Sequence, residues 1–158
     1  MRLGITGHRG LSESVEGAVR GMLPAHLRPY EPSELCGVSC LADGPDTWFV
    51  EIVLGLGGRV EVVVPAERYR DGLPEAHRAA YDALLGRAVD VHRAGFRDSG
   101  AEAHMAGSEI LVGLVDRLLA VWDGKEARGY GGTADVVAHA RRMGVPVDVI
   151  WPEGAVRD

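Results

Sequence analysis

Short apolar runs alternate with longer amphipathic stretches from one end of the chain to the other. Runs such as Val60-Glu61-Val62-Val63-Val64 are nearly continuous in apolar residues, a pattern typical of parallel strands that are covered on both faces. Expected strands lie at about 2–6, 34–41, 59–64, 88–92, 117–122 and 145–151. Expected helices lie near 12–27, 45–56, 75–86, 101–115 and 133–143. This alternation predicts an α/β protein.

Glycine and proline support the predicted boundaries. Gly144, followed by Pro146, ends the last helix, and Pro65 and Pro152 are expected to close strands. Right-handed crossovers between successive strands then give a Rossmann-like, doubly wound, mainly parallel sheet with helices on both faces. Ligands of such folds bind at the carboxyl ends of the strands.

The length of 158 residues fits one domain, expected at 1–153, with 154–158 as a fraying tail. Cys36 and Cys40 fall in one strand-like run, where their Cα atoms would lie roughly 13 Å apart, beyond disulfide reach. The six histidines are scattered without the spacing of metal ligands. We therefore expect neither a disulfide, nor a metal site, nor a bound cofactor.

The net charge of −6 gives no broad attraction to nucleic acid or to an anionic membrane. The sequence therefore argues against nucleic acid as a partner and favours a small molecule. No apolar run approaches the roughly 20 residues that span a bilayer, and the N-terminus does not resemble a signal peptide. A cytoplasmic protein is expected. A homo-oligomer remains open, because the apolar surface of the 101–115 helix faces either the core or a second copy.

The first strand is followed by Gly7-His8-Arg9. Gly7 is expected to allow a tight turn, Arg9 to meet a phosphate, and His8 to donate a hydrogen bond to a ribose or a phosphate. An exposed surface turn is the alternative, since the full dinucleotide-binding fingerprint is absent.

Two further turns carry candidate ligand residues. In the turn after the second strand, Pro45 suits the first position of a helix and Asp46 suits its dipole, so a structural role is sufficient. Asp43 and Asp46 are also candidates to bind ribose hydroxyls. After the third strand, Arg68 and Tyr69 form either a clamp for phosphate and base or a solvated loop.

The strongest signal is the glycine-rich loop between the fifth strand and the last helix. Such a junction presents unpaired helix amides, and glycine lets the backbone approach an anion closely. The amides at 131–133 are expected to cradle a phosphate, with Lys125 and Arg128 supplying charge. Its candidate ligand residues are Asp123, Gly124, Gly131, Gly132 and Thr133.

Segments 4–9, 42–46 and 116–137 together resemble the SLOG superfamily. That group is named for the Smf/DprA DNA-processing proteins and the "Lonely guy" (LOG) cytokinin-activating phosphoribohydrolases. The resemblance covers nearly the whole chain in element order. It implies a Rossmann-like fold and a nucleotide or nucleotide-derived ligand.

The resemblance does not carry over the hydrolytic residues. The phosphoribohydrolases have a P-G-G-x-G-T-x-x-E signature, of which Gly132-Thr133 matches the G-T pair. Val136 stands at the position of the catalytic glutamate, and Gly107 stands near that of an assisting arginine. A valine can neither attack an anomeric carbon nor hold a proton.

Two hypotheses of function follow. The first is a protein that binds a nucleotide or a nucleotide-derived phosphate at the carboxyl edge of its sheet. The alternative is an enzyme that cleaves an N-glycosidic bond in a nucleoside phosphate, with Asp46, Asp135 or Glu109 as a displaced acid. A DNA-processing module is disfavoured by the net acidity and by the absence of an added nucleic-acid domain from the sequence.

Overall fold

A computed structural model of the protein describes residues 1–157. Its sheet has six strands, all parallel, in the order β4-β3-β2-β1-β5-β6. The strands are β1 (Arg2–Gly7), β2 (Cys36–Ser39), β3 (Arg59–Ala66), β4 (Asp90–Phe96), β5 (Arg117–Val121) and β6 (Val147–Ile150). This architecture confirms the predicted Rossmann-like α/β fold.

Five helices cover the two faces of the sheet. They are α1 (Glu13–Leu27), α2 (Pro45–Gly55), α3 (Glu75–Leu85), α4 (Ala101–Leu114) and α5 (Thr133–Arg142). Val62 belongs to the apolar cluster beneath α1 to α3, whereas its neighbour Val63 belongs to the cluster beneath α4 and α5. Successive side chains of a strand point to opposite faces, so each face of the sheet has its own core.

The connectivity fixes where a ligand site is expected. The chain runs from β1 to β2 on one side, while β5 pairs with the other side of β1, with Gly7 opposite Val121. The carboxyl ends of β1 and β5 therefore border the topological switch point of the sheet. The loop after β1 and the glycine-rich loop after β5 lie next to each other there, on one edge, as predicted.

Several strand boundaries differ from the predicted ones by two residues or more. Pro65 lies inside β3 instead of closing it, because pairing with β2 ends at Val62 and the register with β4 shifts between Val64 and Ala66. No ladder hydrogen bond is therefore lost at the proline. The fourth strand lies at 90–96 rather than 88–92.

The C-terminal residues fold back onto the body of the protein. Trp151 Nε1 donates a hydrogen bond to the Ala155 carbonyl at 3.1 Å, and Arg128 donates one to the Arg157 carbonyl at 3.2 Å. The expected fraying tail is thus docked through Arg157, and Asp158 lies outside the described residues. Among residues 1–157, no helix has the length and apolar character needed to cross a membrane.

Candidate functional site

A crevice opens at the carboxyl ends of β1 and β5, and we call it the switch-point crevice. It consists of two adjoining compartments of about 130 and about 220 Å³. Both compartments are lined by Thr6, Gly7, Arg9, Ser108, Gly131 and Val136. Only the first, the acidic compartment, is lined by Cys40, Asp46, Tyr69 and His104. Only the second, the basic compartment, is lined by His8, Arg128, Thr133 and Arg157.

Positive charge converges on the basic compartment. Arg128 and Arg157 both line it, and Thr133 is the first residue of α5, whose amino end carries the positive end of the helix dipole. Burial, together with the nearby charge of Arg128, lowers the pKa of Arg157. Two cations beside a helix N-terminus create a potential that favours an anion.

The backbone of the glycine-rich loop differs from the predicted cradle. The Gly131 amide donates to the Asp135 carboxylate at 2.9 Å, and the Gly132 amide donates to the Gly129 carbonyl at 3.2 Å. The Thr133 amide has no partner among residues 1–157. Of the three amides predicted to form the cradle, only that of Thr133 is therefore left to meet an anion.

A chain of hydrogen bonds links Thr133 to a carboxylate. Thr133 Oγ1 lies 3.3 Å from His8 Nδ1, and His8 Nε2 lies 3.1 Å from Asp123 Oδ1. His8 is only 4% exposed, and this burial lowers its pKa, so the imidazole is neutral at pH 7. Burial opposes ionisation of Asp123, but hydrogen bonds from the Lys125 amide and from His8 hold its pKa below the usual value. Asp123 is accordingly ionised.

The acidic compartment is built around Asp46. Its carboxylate accepts a hydrogen bond from the Ala42 amide at 3.2 Å. Burial raises the pKa of Asp46 to about 7 despite that bond and the nearby Arg9. The rings of Tyr69 and His104 meet edge to face, with centroids 5.7 Å apart, and line the same compartment. The compartment thus combines aromatic surface with a carboxyl that titrates near neutrality.

Arg9 connects the turn after β1 with the turn after β2. Its guanidinium donates to the Asp43 carboxylate at 2.8 Å, and the side chain lines both compartments. Gly7 has a different role from the predicted one. An added Cβ there would lie 2.9 Å from Pro45 and from Val121, so its absence admits close packing, while the left-handed turn residue is Gly10 with φ +68°.

Most of the predicted site residues meet at the crevice. Lining it are Gly7, His8, Arg9, Asp46, Gly131, Gly132 and Thr133. Asp43 and Asp123 do not line it, but they bond to Arg9 and His8, which do. Two predicted residues lie elsewhere: Gly124 forms a left-handed turn outside the lining, and Arg68 is 56% exposed and pairs with Asp98 at 3.5 Å.

The structure adds lining residues that the sequence did not single out. His104, Ser108 and Leu111 on α4 face the crevice, at the spacing of one helix face. Gly107 instead faces Pro65, whose Cγ would lie 2.9 Å from an added Cβ. Val136 is 2% exposed and lines both compartments, so an apolar wall occupies the position where the LOG signature has its glutamate.

A second cluster lies at the opposite, amino end of the strands. Among residues 1–157, the one group with the proximity of metal ligands is Glu61, Asp90 and His92. His92 Nε2 and the Arg2 guanidinium each lie 2.7 Å from the same Glu61 oxygen. An ion-pair network accounts for this geometry, and the guanidinium opposes a cation there. The absence of a metal site stays a prediction.

No known family model matches the chain, and no curated protein sequence matches it significantly. Solved structures resemble it, among them two DNA processing proteins. DNA processing protein A (DprA) from Streptococcus pneumoniae is 21% identical with a TM-score of 0.69, covering 97% of this chain and 51% of that protein. DNA processing protein A from Helicobacter pylori is 14% identical with a TM-score of 0.70, covering 100% of this chain and 68% of that protein. The chain therefore spans about half the length of the first protein.

The H. pylori structure concerns that protein's binding of single-stranded DNA. The prediction that argued against nucleic acid as a partner is therefore wrong, since a protein of the same fold binds it. The physical reason is that the net charge of the whole chain does not report the local charge of a crevice lined by arginines. At the level of fold, the chain is similar to DNA processing protein A, and the predicted Rossmann-like fold is confirmed.

Proposed function

We propose that the switch-point crevice binds the phosphate group of a nucleotide, carried either by a free nucleotide or by single-stranded DNA. The observation that carries this proposal is the convergence of Arg128, Arg157 and the Thr133 amide on one compartment. Charged donors and an open helix N-terminus are the usual partners of phosphate. The compartment also lies at the switch point, where folds of this type bind ligands.

The acidic compartment would hold the sugar or the base. It opens directly beside the basic compartment, with Arg9 and Ser108 on the shared wall. Tyr69 and His104 offer ring surface against which a base can pack, and Asp46 offers a carboxyl for sugar hydroxyls. DNA binding by the H. pylori protein supports a nucleic-acid ligand. The small volume of this compartment, about 130 Å³, supports a single nucleotide.

The proposal is tested by calorimetry with nucleoside monophosphates and with a single-stranded oligonucleotide. Arg157→Ala should weaken binding of whichever ligand binds by roughly tenfold to a hundredfold, because it removes a charge-assisted contact worth about 1.5–3 kcal/mol. Arg68→Ala is the matched control, since Arg68 lies outside the crevice in an exposed pair with Asp98. Equal affinities for wild type and Arg157→Ala, or equal losses in both variants, would place the phosphate elsewhere.

A second candidate function is cleavage of an N-glycosidic bond in a nucleoside phosphate. One observation favours it: of the three displaced acids considered, only Asp46 lines the crevice and has a pKa suited to proton transfer near neutrality. Asp135 accepts the Gly131 amide, and Glu109 is exposed on α4. Release of free base from nucleoside monophosphates, followed by chromatography, separates this function from binding alone. With Val136 in the glutamate position, we expect no such release at ordinary enzyme rates.

A further inference from the structure

We propose that Asp123, His8 and Thr133 form a nucleophilic triad that transfers a phosphoryl group from a phosphate ester to the Thr133 hydroxyl. The inference rests on the proposed phosphate site and adds a reaction to it. The distances are 3.3 Å from Thr133 Oγ1 to His8 Nδ1 and 3.1 Å from His8 Nε2 to Asp123 Oδ1. A hydroxyl, a base and a carboxylate that orients the base are the parts required to activate an alcohol.

The tautomer of His8 decides whether its Nδ1 can accept the hydroxyl proton. Two groups of Asp123 contact Nε2 at 3.1 Å: the carboxylate, which needs a proton on Nε2, and the backbone amide, which needs a lone pair there. A hydrogen bond to an ionised carboxylate is roughly twice as strong as one between neutral groups. The carboxylate therefore holds the proton on Nε2 and leaves the lone pair of Nδ1 facing Thr133.

Thr133 lies at the wall of the space that a substrate would occupy. Thr133 and His8 both line the basic compartment, together with Arg128 and Arg157. A phosphate ester seated between the two arginines would bring its phosphorus to the wall that carries Thr133. The amide of Thr133, which has no partner among residues 1–157, lies at the same wall and can stabilise charge that develops on a phosphoryl oxygen.

The reaction balances in two steps. Thr133 Oγ1 forms a bond to phosphorus, the bond from phosphorus to the leaving oxygen breaks, and the threonine proton passes through His8 Nδ1 to the departing alkoxide. Water then attacks the phosphothreonine, its proton passes to His8, and Thr133 leaves with that proton restored. The net change is hydrolysis of the ester, and no oxidant, reductant or further reactant is consumed. In this scheme Asp123 is a positioning residue, because it acts through His8.

The first test uses a biotinylated fluorophosphonate probe on the intact chain, with the modified residue located by mass spectrometry. Attack by Thr133 releases fluoride and leaves a stable adduct on its oxygen. Thr47 is a matched internal control, since it is also buried, and its Oγ1 lies 3.4 Å from His77 Nε2. That nitrogen also lies 3.0 Å from the Leu41 carbonyl, to which it donates its proton, so it cannot accept one. We expect an adduct on Thr133, none on Thr47, and protection by inorganic phosphate.

Variants of Thr133 and Asp123 test the role that the triad gives to each residue. Thr133→Ser should keep the adduct and Thr133→Ala should lose it. Asp123→Asn should slow modification on the order of a hundredfold. ¹⁵N NMR of the His8 ring in the wild-type protein distinguishes this positioning role of Asp123 from a purely structural one. If Asp123 positions His8, the spectrum should show the proton on Nε2.

Several outcomes overturn the triad. These are a proton on Nδ1 in the unliganded protein, an adduct on Ser108 instead of Thr133, and no adduct on Thr133 in a sample that binds a nucleoside monophosphate. The last outcome leaves the proposed binding function standing. Absence of any nucleotide or phosphate binding by the same sample overturns the binding function and the triad together.

Discussion

At the scale of single residues, Asp46 shows how burial changes a role that its position in the sequence explains. The second residue of a helix is a favourable place for a carboxylate because of the helix dipole, and nothing more is needed to account for it. In the structure the same side chain is 9% exposed and lines the crevice, and burial raises its pKa to about 7. Desolvation therefore outweighs both the Ala42 amide and Arg9.

This shift predicts a pH-dependent stability. Because the pKa of Asp46 is higher in the folded than in the unfolded chain, the native state keeps a proton between about pH 4 and pH 7 that the unfolded state has lost. The free energy of unfolding should therefore fall as pH rises through that window, by up to about 4 kcal/mol from this group. Asp46→Asn keeps the hydrogen bond from Ala42 and removes the titration.

Urea unfolding of both proteins at pH 5 and pH 8 measures the effect. Other groups with shifted pKa values, such as His8 and His104, titrate in both proteins and cancel in the comparison. Wild type should lose more stability than Asp46→Asn between the two pH values. Parallel losses in the two proteins would show that Asp46 ionises normally in the folded state.

Residues of the site could be predicted from sequence where a local rule places them. Thr133 could be predicted because it begins a helix, and His8 could be predicted because it directly follows the end of a strand. His104 and Ser108 could not be found this way, because their exposure to the crevice depends on how α4 is rotated against the sheet. The place of Arg157 at the crevice could not be predicted for a similar reason, since only tertiary docking of the last residues brings it to the basic compartment.

At the scale of elements, helix boundaries were predicted within one or two residues. The best local signals are capping residues: Ser12 accepts a hydrogen bond from the Val15 amide at 3.4 Å, and Gly44 with φ +95° precedes Pro45 at the start of α2. The fourth strand was misplaced because it is an edge strand with few buried side chains, which leaves a weak apolar pattern.

Gly131 lies at the junction between the glycine-rich loop and α5, where a side chain would be strained. Gly131 has φ +84°, and a Cβ there would lie 3.0 Å from the Ala101 carbonyl. Gly131→Val should therefore destabilise the protein by at least about 1–2 kcal/mol, the cost of a left-handed conformation for a residue with a side chain. It should also weaken nucleotide binding, because the start of α5 would shift.

Gly113→Ala is the control for this substitution. Gly113 lies in α4 with no heavy atom within 4 Å of an added Cβ, so alanine should stabilise the protein by roughly 0.5–1 kcal/mol through its helix propensity. Chemical denaturation of both variants measures these opposite effects. If Gly131→Val were as stable as wild type, the loop would have an alternative conformation that accepts a side chain.

At the scale of the whole molecule, the distribution of charge matters more than its sum. The chain carries a net charge of −6, yet three arginines line the switch-point crevice. Net charge can be counted from the sequence, whereas the grouping of Arg9, Arg128 and Arg157 requires the fold, since these residues come from the turn after β1, the glycine-rich loop and the docked C-terminus. The prediction about nucleic acid failed at this step.

The local charge predicts a salt-dependent affinity for single-stranded DNA. Neutralising two to three phosphates should give a slope of log affinity against log salt of roughly −1.4 to −2, and hence a fall of about 25- to 100-fold for a tenfold rise in salt. Fluorescence anisotropy of a labelled oligothymidine, titrated at several salt concentrations, measures that slope. Arg157→Ala should make it shallower by about 0.7, because one phosphate contact is lost. Tight binding with no dependence on salt would mean that the bases, and not the phosphates at the basic compartment, hold the strand.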